Sequence, residues 1–227
     1  MISDMLKVDI EAYAERMRYS EIYKRARSGE LSPRAVAAYV ASLRLLIERT
    51  HTHLCLAHER SRELGRTDLA TFFEQRASEE RGHEKWADND LVELEMVFAT
   101  KFSPDRSRSI VALLGYLRET IEREPVLFLA YMILAEYVTV LLGSEWMTML
   151  QDRCKVPTSA MTVVGNHVEL DRAHVLDNFR ELDSLVNDER YLAPLRNTLS
   201  TSMRYFDSFF SEICDLCHDR QPADAFA

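Results

Sequence analysis

Glycine and proline are both scarce, with 6 of each in 227 residues. That excludes collagen-like and linker-rich chains and argues against turn-rich all-β folds, since tight turns draw heavily on both residues. No stretch of convincing length alternates apolar and polar side chains, so no half-buried strand is expected. Cysteine is sparse as well. Cys55, Cys154, Cys214 and Cys217 do not make a disulfide framework of the secreted type, and a chain this long does not need one. The opening segment "MISDMLKVDIEAYAERM" is charged throughout and has no apolar core, so no signal peptide is expected. There is also no basic block. Lys and Arg number 28 against 37 Asp and Glu, a net charge of −9, which makes nucleic acid a poor partner. These absences together lead to the expectation of a cytoplasmic protein.

What remains is a helical chain. Hydrophobic residues make up 47%, enough for a core. The few breakers cluster in "SGELSP", "ELGRTD", "FSPDRS", "KVPTS" and "NDERYLAP", between long segments of helical period. The spacing predicts helices over about 4–28, 33–64, 67–98, 158–186 and 189–217. A further region, 105–154, is bent or broken at Pro125. The tail 219–227 reads as loose. No repeat or linker divides the chain, so residues 1–227 read as one all-α domain. The longest apolar run, "PVLFLAYMILAEYVTVLLG", is interrupted by Glu136 and is short for a span of roughly 20 residues. It reads as a buried helix, and no membrane partner is expected.

Chemistry concentrates in four places. In "NHVELDRAH", His167, Asp171 and His174 fall at i, i+4 and i+7, within roughly 60° of one another around a helix. Val163, Val164 and Leu170 lie close by, so this face points inward. A metal site and a structural polar network are the two readings. Glu136 stands among aliphatic side chains, where an ionised carboxylate must be paired, protonated or bound to a metal. "SEERGHEKW" carries Glu80 and His83 as a Glu-x-x-His pair, an element of di-iron carboxylate sites that also arises by chance on acidic helices. In "LRLLIERTHTHLCLAHER", Glu48 follows three apolar residues. His51 shares its face, while His53 and His58 read as peripheral. Four carboxylates and three imidazoles suit iron or manganese better than structural zinc or calcium, and seven ligands are enough for two ions.

The set departs from the ferritin-like arrangement, which alternates two Glu-x-x-His helices with two single-Glu helices. It resembles the haem-oxygenase-like di-iron oxidases and oxygenases, which contain no haem. Glu48, then Glu80 with His83, then Glu136, then His167, Asp171 and His174 match that family's ligand roles in order over roughly residues 30–215. The resemblance implies a bundle of six to seven helices holding two Fe ions, with no catalytic residues beyond the ligands. It implies O2 as co-substrate, an external electron donor such as a reductase, and a homodimer. Two reaction types follow from it: N-oxygenation of a small amine-type metabolite, and oxidative C–C cleavage or desaturation of an amino acid or fatty acid. The leaning is to the amine, because no sequence feature announces a long apolar tunnel. Phe128, Tyr131 and Tyr137 read as pocket wall or plain core. Arg44 and Arg204 read as substrate-carboxylate anchors or as ordinary ion-pair partners. The same fold includes metal-free thiaminase-like proteins, which are the rival reading together with a purely structural bundle. The string Cys214-x-x-Cys217-His218 matches a c-type haem attachment motif, but helix-end thiols are the better account.

Overall fold

A computed structural model describes residues 1–103 and 106–217. The tail at 219–227 and His218 lie outside the described residues. Among them there are nine α-helices and no strands: α1 (Ile2–Met17), α2 (Glu21–Ser28), α3 (Pro33–Glu63), α4 (Thr67–Glu79), α5 (Glu84–Val97), α6 (Arg108–Arg123), α7 (Phe128–Cys154), α8 (Thr162–Leu185) and α9 (Leu192–Asp215). The count exceeds six to seven because two expected helices are each split. The 4–28 segment divides before Glu21, and the 67–98 segment divides between Glu79 and Glu84. The break at Pro125 is where the sequence puts it, a short 3₁₀ turn that separates α6 from α7.

Local chemistry starts the long helices. Ser32 accepts a hydrogen bond from the Ala35 amide (3.2 Å), and Pro33 follows at the first helical position, where no amide is needed. Ser107 does the same for α6 through the Ile110 amide (3.1 Å). The helix Pro125–Cys154 is long and apolar enough to cross a membrane, but most of its apolar window is buried inside the bundle.

Three devices position the helices that carry the acids and histidines. First, α7 and α8 approach closely at Gly143. A Cβ there would run into the side chain of Val168, so only glycine lets the two backbones sit this near. Second, the start of α8 is held by the fully buried Asp90 of α5. Its carboxylate accepts from the Thr162 amide (2.9 Å), the Thr162 hydroxyl (2.6 Å) and the Val163 amide (2.8 Å). A carboxylate at a helix N-terminus meets both the free amides and the favourable end of the helix dipole. Third, the chain leaves helix between α4 and α5 at Gly82, whose φ is +91°.

The Asp90 anchor generates a prediction. Asp90→Ala leaves two amides and a hydroxyl without their acceptor, and urea unfolding is expected to show a loss of about 2–3 kcal/mol. A loss below about half a kcal/mol would mean that α8 is held by packing alone.

Candidate metal centre

Six of the seven sequence-designated residues converge as two adjoining triads. The ligand atoms of Glu80, His83 and His167 lie within 4.8 Å of one another, and so do those of Glu136, Asp171 and His174. Bonds of about 2.1 Å to a first-row metal require donors roughly 3–4 Å apart, so small side-chain rotations would close each triad. The triads are neighbours: the His83 and His167 rings are 5.4 Å apart, and Glu80 interacts electrostatically with Glu136, Asp171 and His174.

Each member owes its place to local structure. Asp171 and His174 follow His167 on α8, as the i, i+4, i+7 spacing requires. Glu136 projects from α7. Glu80 and His83, however, do not share a helix face. They bracket the turn between α4 and α5 that Gly82 permits, and the turn brings their side chains to 3.4 Å. Glu48 is not among the residues brought together. Its carboxylate is exposed and pairs with Arg44 (2.7 Å), which also holds Asp88 (2.6 Å). The inward line of α3 runs through Leu43, Leu46, Thr50 and Leu54, and Glu48 is turned by about 200° from both Leu46 and Thr50. Arg204 is exposed and bonded to Thr201 (2.9 Å). His53, read as peripheral, is instead buried edge-on against Phe128, and burial pushes its pKa down to about 4.

Supporting residues came to light only in the structure. Arg76 is buried beside the acids, donates to Glu79 (2.7 Å) and to Asn178, and Asn178 in turn donates to Glu136. No spacing rule links residues 76, 136 and 178. Trp86 stacks on His83 (4.2 Å between centroids) and meets His167 edge-on (5.3 Å). His167 Nδ1 lies 2.6 Å from the Val163 carbonyl. A carbonyl only accepts, so Nδ1 carries the proton and Nε2 keeps a lone pair, which is how protein ligands are oriented toward metals.

The electrostatics favour a cation. Burial pushes the Asp171 carboxyl up to about 8, and repulsion from Glu80 adds to it while Arg76 offsets part. Burial also drives Glu136 well above the usual carboxylate range, with Asp171 adding repulsion. For Glu80 burial acts upward, but the facing imidazoles of His83, His167 and His174 outweigh it, and the group lies below its ordinary value. Burial lowers His167 despite its bond to Val163 and the nearby Glu80. His83 Nδ1 is buried and, although Glu80 is 3.4 Å away, makes no hydrogen bond of proper geometry. An imidazole nitrogen without a hydrogen-bond partner, beside the ionised Glu80 and near two acids whose pKa values are raised, fits a cation-binding role. The donor sets suit a first-row metal such as iron or manganese: two histidines and one carboxylate in the first triad, two carboxylates and one histidine in the second.

Four of the six triad residues, Glu80, Glu136, His167 and Asp171, line one end of an apolar cavity of about 200 Å³. Tyr131 is in its wall, whereas Phe128 packs behind Tyr131 and Tyr137 faces Glu11 and Phe179.

No protein-family model and no curated protein matches this chain. Solved structures do. A protein of unknown function with a haem-oxygenase-like fold from Shewanella denitrificans OS217 superposes with a TM-score of 0.82 at 16% identity, over 98% of both chains. A TenA homologue from Pseudomonas syringae pv. tomato DC3000 gives 0.72 at 16% identity, over 93% of this chain and 92% of its own. The chain therefore has a haem-oxygenase-like fold. At this identity the likeness defines the fold alone.

A sign follows from the Asp171 shift. Its folded pKa is raised, so its stabilising effect is complete below the ordinary value of 3.8 and is lost as pH rises through about 8. Metal-free Asp171→Asn is thus expected to lose less stability than the parent between pH 6 and 8.5 in urea unfolding. Ferrous iron at a hundredfold excess over Kd is expected to raise the parent's Tm at pH 8 by about 5–10 °C and that of Asp171→Asn far less. Equal pH slopes with equal metal gains would remove Asp171 from the ligand set.

Proposed function

We propose that this protein is an O2-dependent non-haem di-iron oxidase or oxygenase. The observation that carries the proposal is the pair of adjoining triads, one of them a two-histidine, one-carboxylate set of the kind that serves non-haem Fe(II) oxygenases. Glu80, His83 and His167 would hold one iron, and Glu136, Asp171 and His174 the other. When bound, the irons supply the oxygen activation, which side chains alone do not perform. Three protein donors per ion leave positions open for O2 or substrate.

The chain's own residues do the rest. Val163 fixes the His167 tautomer. Asn178, braced by Arg76, donates to Glu136 and sets the direction of its free oxygen. The apolar walls exclude water, which strengthens every charge interaction inside them. The electron balance requires a partner. Reduction of O2 to two waters takes four electrons. Desaturation or C–C cleavage of the substrate supplies two, and an external donor, such as a reductase, supplies two.

The character of the cavity shifts the favoured reaction. Its wall away from the triads is aliphatic and aromatic. That supports oxidative cleavage or desaturation of a substrate with an apolar body over N-oxygenation of a small polar amine. The metal-free reading draws on the likeness to a TenA homologue. It leaves unexplained why three carboxylates and three imidazoles share one small, largely shielded volume.

Anaerobic reconstitution tests both readings. The expected result is about two Fe(II) per chain, O2 consumption on mixing, and loss of one iron with most of the consumption in His174→Ala. Absence of bound iron would favour the metal-free reading. Two irons without O2 consumption would leave a storage role.

A further inference from the structure

The cavity is long and chemically polarised. It follows α7 from Glu136 to Trp146, ten residues or about 15 Å of helix. Across it α3 runs antiparallel, with Thr50 beside Tyr131 near the triads and Tyr39 packed on Trp146 (5.5 Å) at the other end. Every acid, histidine or arginine in the wall belongs to the triad end: Arg76, Glu80, Glu136, His167 and Asp171. The far end holds Trp146 against Tyr23 (5.4 Å), with Tyr13 close to Tyr23.

Two donors at this far end are orphaned. The Trp146 indole nitrogen is buried, in a residue 6% exposed, and has no hydrogen-bond partner. The Tyr39 phenol is an acceptor close by and interacts with the indole electrostatically, but the two do not meet in bonding geometry. The Tyr13 hydroxyl, in a residue 3% exposed, also has no partner in bonding geometry; the Asp207 carboxylate lies close to it and is bonded to Arg16 (3.0 Å). Buried donors without acceptors are uncommon and costly. Two of them in the wall of one cavity describe what the cavity lacks, an acceptor oxygen. Among the described residues no cation lines the wall at that end: Arg16 and Arg27 lie over the Tyr13 and Tyr23 rings (5.0 and 5.7 Å) but are paired with Asp207 and Glu145, so a carboxylate buried there would lack a free counter-charge and be unfavourable.

We propose that the cavity binds an elongated apolar molecule with a single uncharged acceptor, such as a carbonyl or hydroxyl oxygen, at the end remote from the triads. Trp146 Nε1–H and Tyr13 O–H receive that oxygen. The hydrocarbon segment then reaches back along α7 to Glu136 and Asp171. This deepens the oxidase reading and rests on it for what happens at the hydrocarbon end; the binding itself does not require metal. The consequence is that oxidation falls on carbon remote from the polar group.

The test uses chelator-treated full-length protein, so that it stands apart from the iron question. Trp86→Phe leaves Trp146 as the sole tryptophan and reporter. 2-Nonanone and nonanoate, equal in length, are titrated by Trp146 fluorescence and by calorimetry. The ketone is expected to bind, change the Trp146 emission, and bind at least tenfold more tightly than the carboxylate at pH 8. Trp146→Phe and Tyr13→Phe are each expected to weaken ketone binding about three- to tenfold, the worth of one hydrogen bond, with thermal unfolding confirming that each variant is folded. Tighter binding of the carboxylate, unchanged ketone affinity in both variants, or no binding of either probe would overturn the proposal. Ketone binding in a protein that takes up no iron would keep this proposal and discard the oxidase reading.

Discussion

Three carboxylates and three imidazoles packed between apolar helices are the constraint around which this molecule is built. Carboxylates brought together out of water repel one another and lose hydration, and each effect disfavours the charged form. Among the described residues one internal cation, Arg76, faces them, and it is shared with Glu79 and Asn178. Without metal the cluster keeps protons, as the upward shifts of Asp171 and Glu136 show. A bundle designed only for stability would place apolar residues here, since buried charged clusters rarely add stability. The cluster is therefore one whose strain a bound cation would relieve by taking the place of protons.

The fold's irregularities serve that cluster. Gly82 interrupts what would otherwise be one long helix and turns Glu80 and His83 toward α8. Gly143 lets α7 and α8 approach until Glu136 and Asp171 share a site. Asp90 fixes where α8 begins. A one-residue shift there would rotate His167, Asp171 and His174 by about 100°. Helix propensity builds the long segments, but these local departures from it decide where the donors meet.

Legibility in the sequence followed the same division. The all-α character was plain from scarce glycine and proline and from helical spacing. The triplet on α8 was legible because three donors at i, i+4 and i+7 keep one face by geometry alone. Glu136 was legible because a lone acid in an apolar run has few explanations. Glu48 was not, since an amphipathic helix has a boundary, and three apolar residues before an acid do not tell on which side of it the acid falls. The tertiary structure settles that, placing Glu48 with Arg44 in solvent. Glu80 and His83 were found through a helical spacing that the chain does not adopt. Their proximity survives because a turn, like a helix, brings residues three apart close together. Arg76, Asn178 and Asp90 meet their partners across 102, 42 and 72 residues respectively, and contacts of that separation leave no periodic trace in one sequence.

The displacement of Glu48 changes the electrostatics of the site as well as its membership. Four carboxylates against two divalent ions would give a neutral centre. Three carboxylates, those of Glu80, Glu136 and Asp171, leave a net charge of +1 on a loaded pair. Arg76 does not alter this, because its charge is matched by Glu79. In a dry cavity such an excess is not screened by water, and it draws an anionic ligand to the open coordination positions. The wall at the opposite end of the same cavity has donors but no charged side chain. One chamber thus attracts electron-rich small species at one end and an uncharged oxygen at the other, and between them it offers only hydrocarbon surface. That division argues that a molecule filling the chamber would be a largely apolar body, with the acid and histidine cluster and the anchoring group kept about a cavity's length apart.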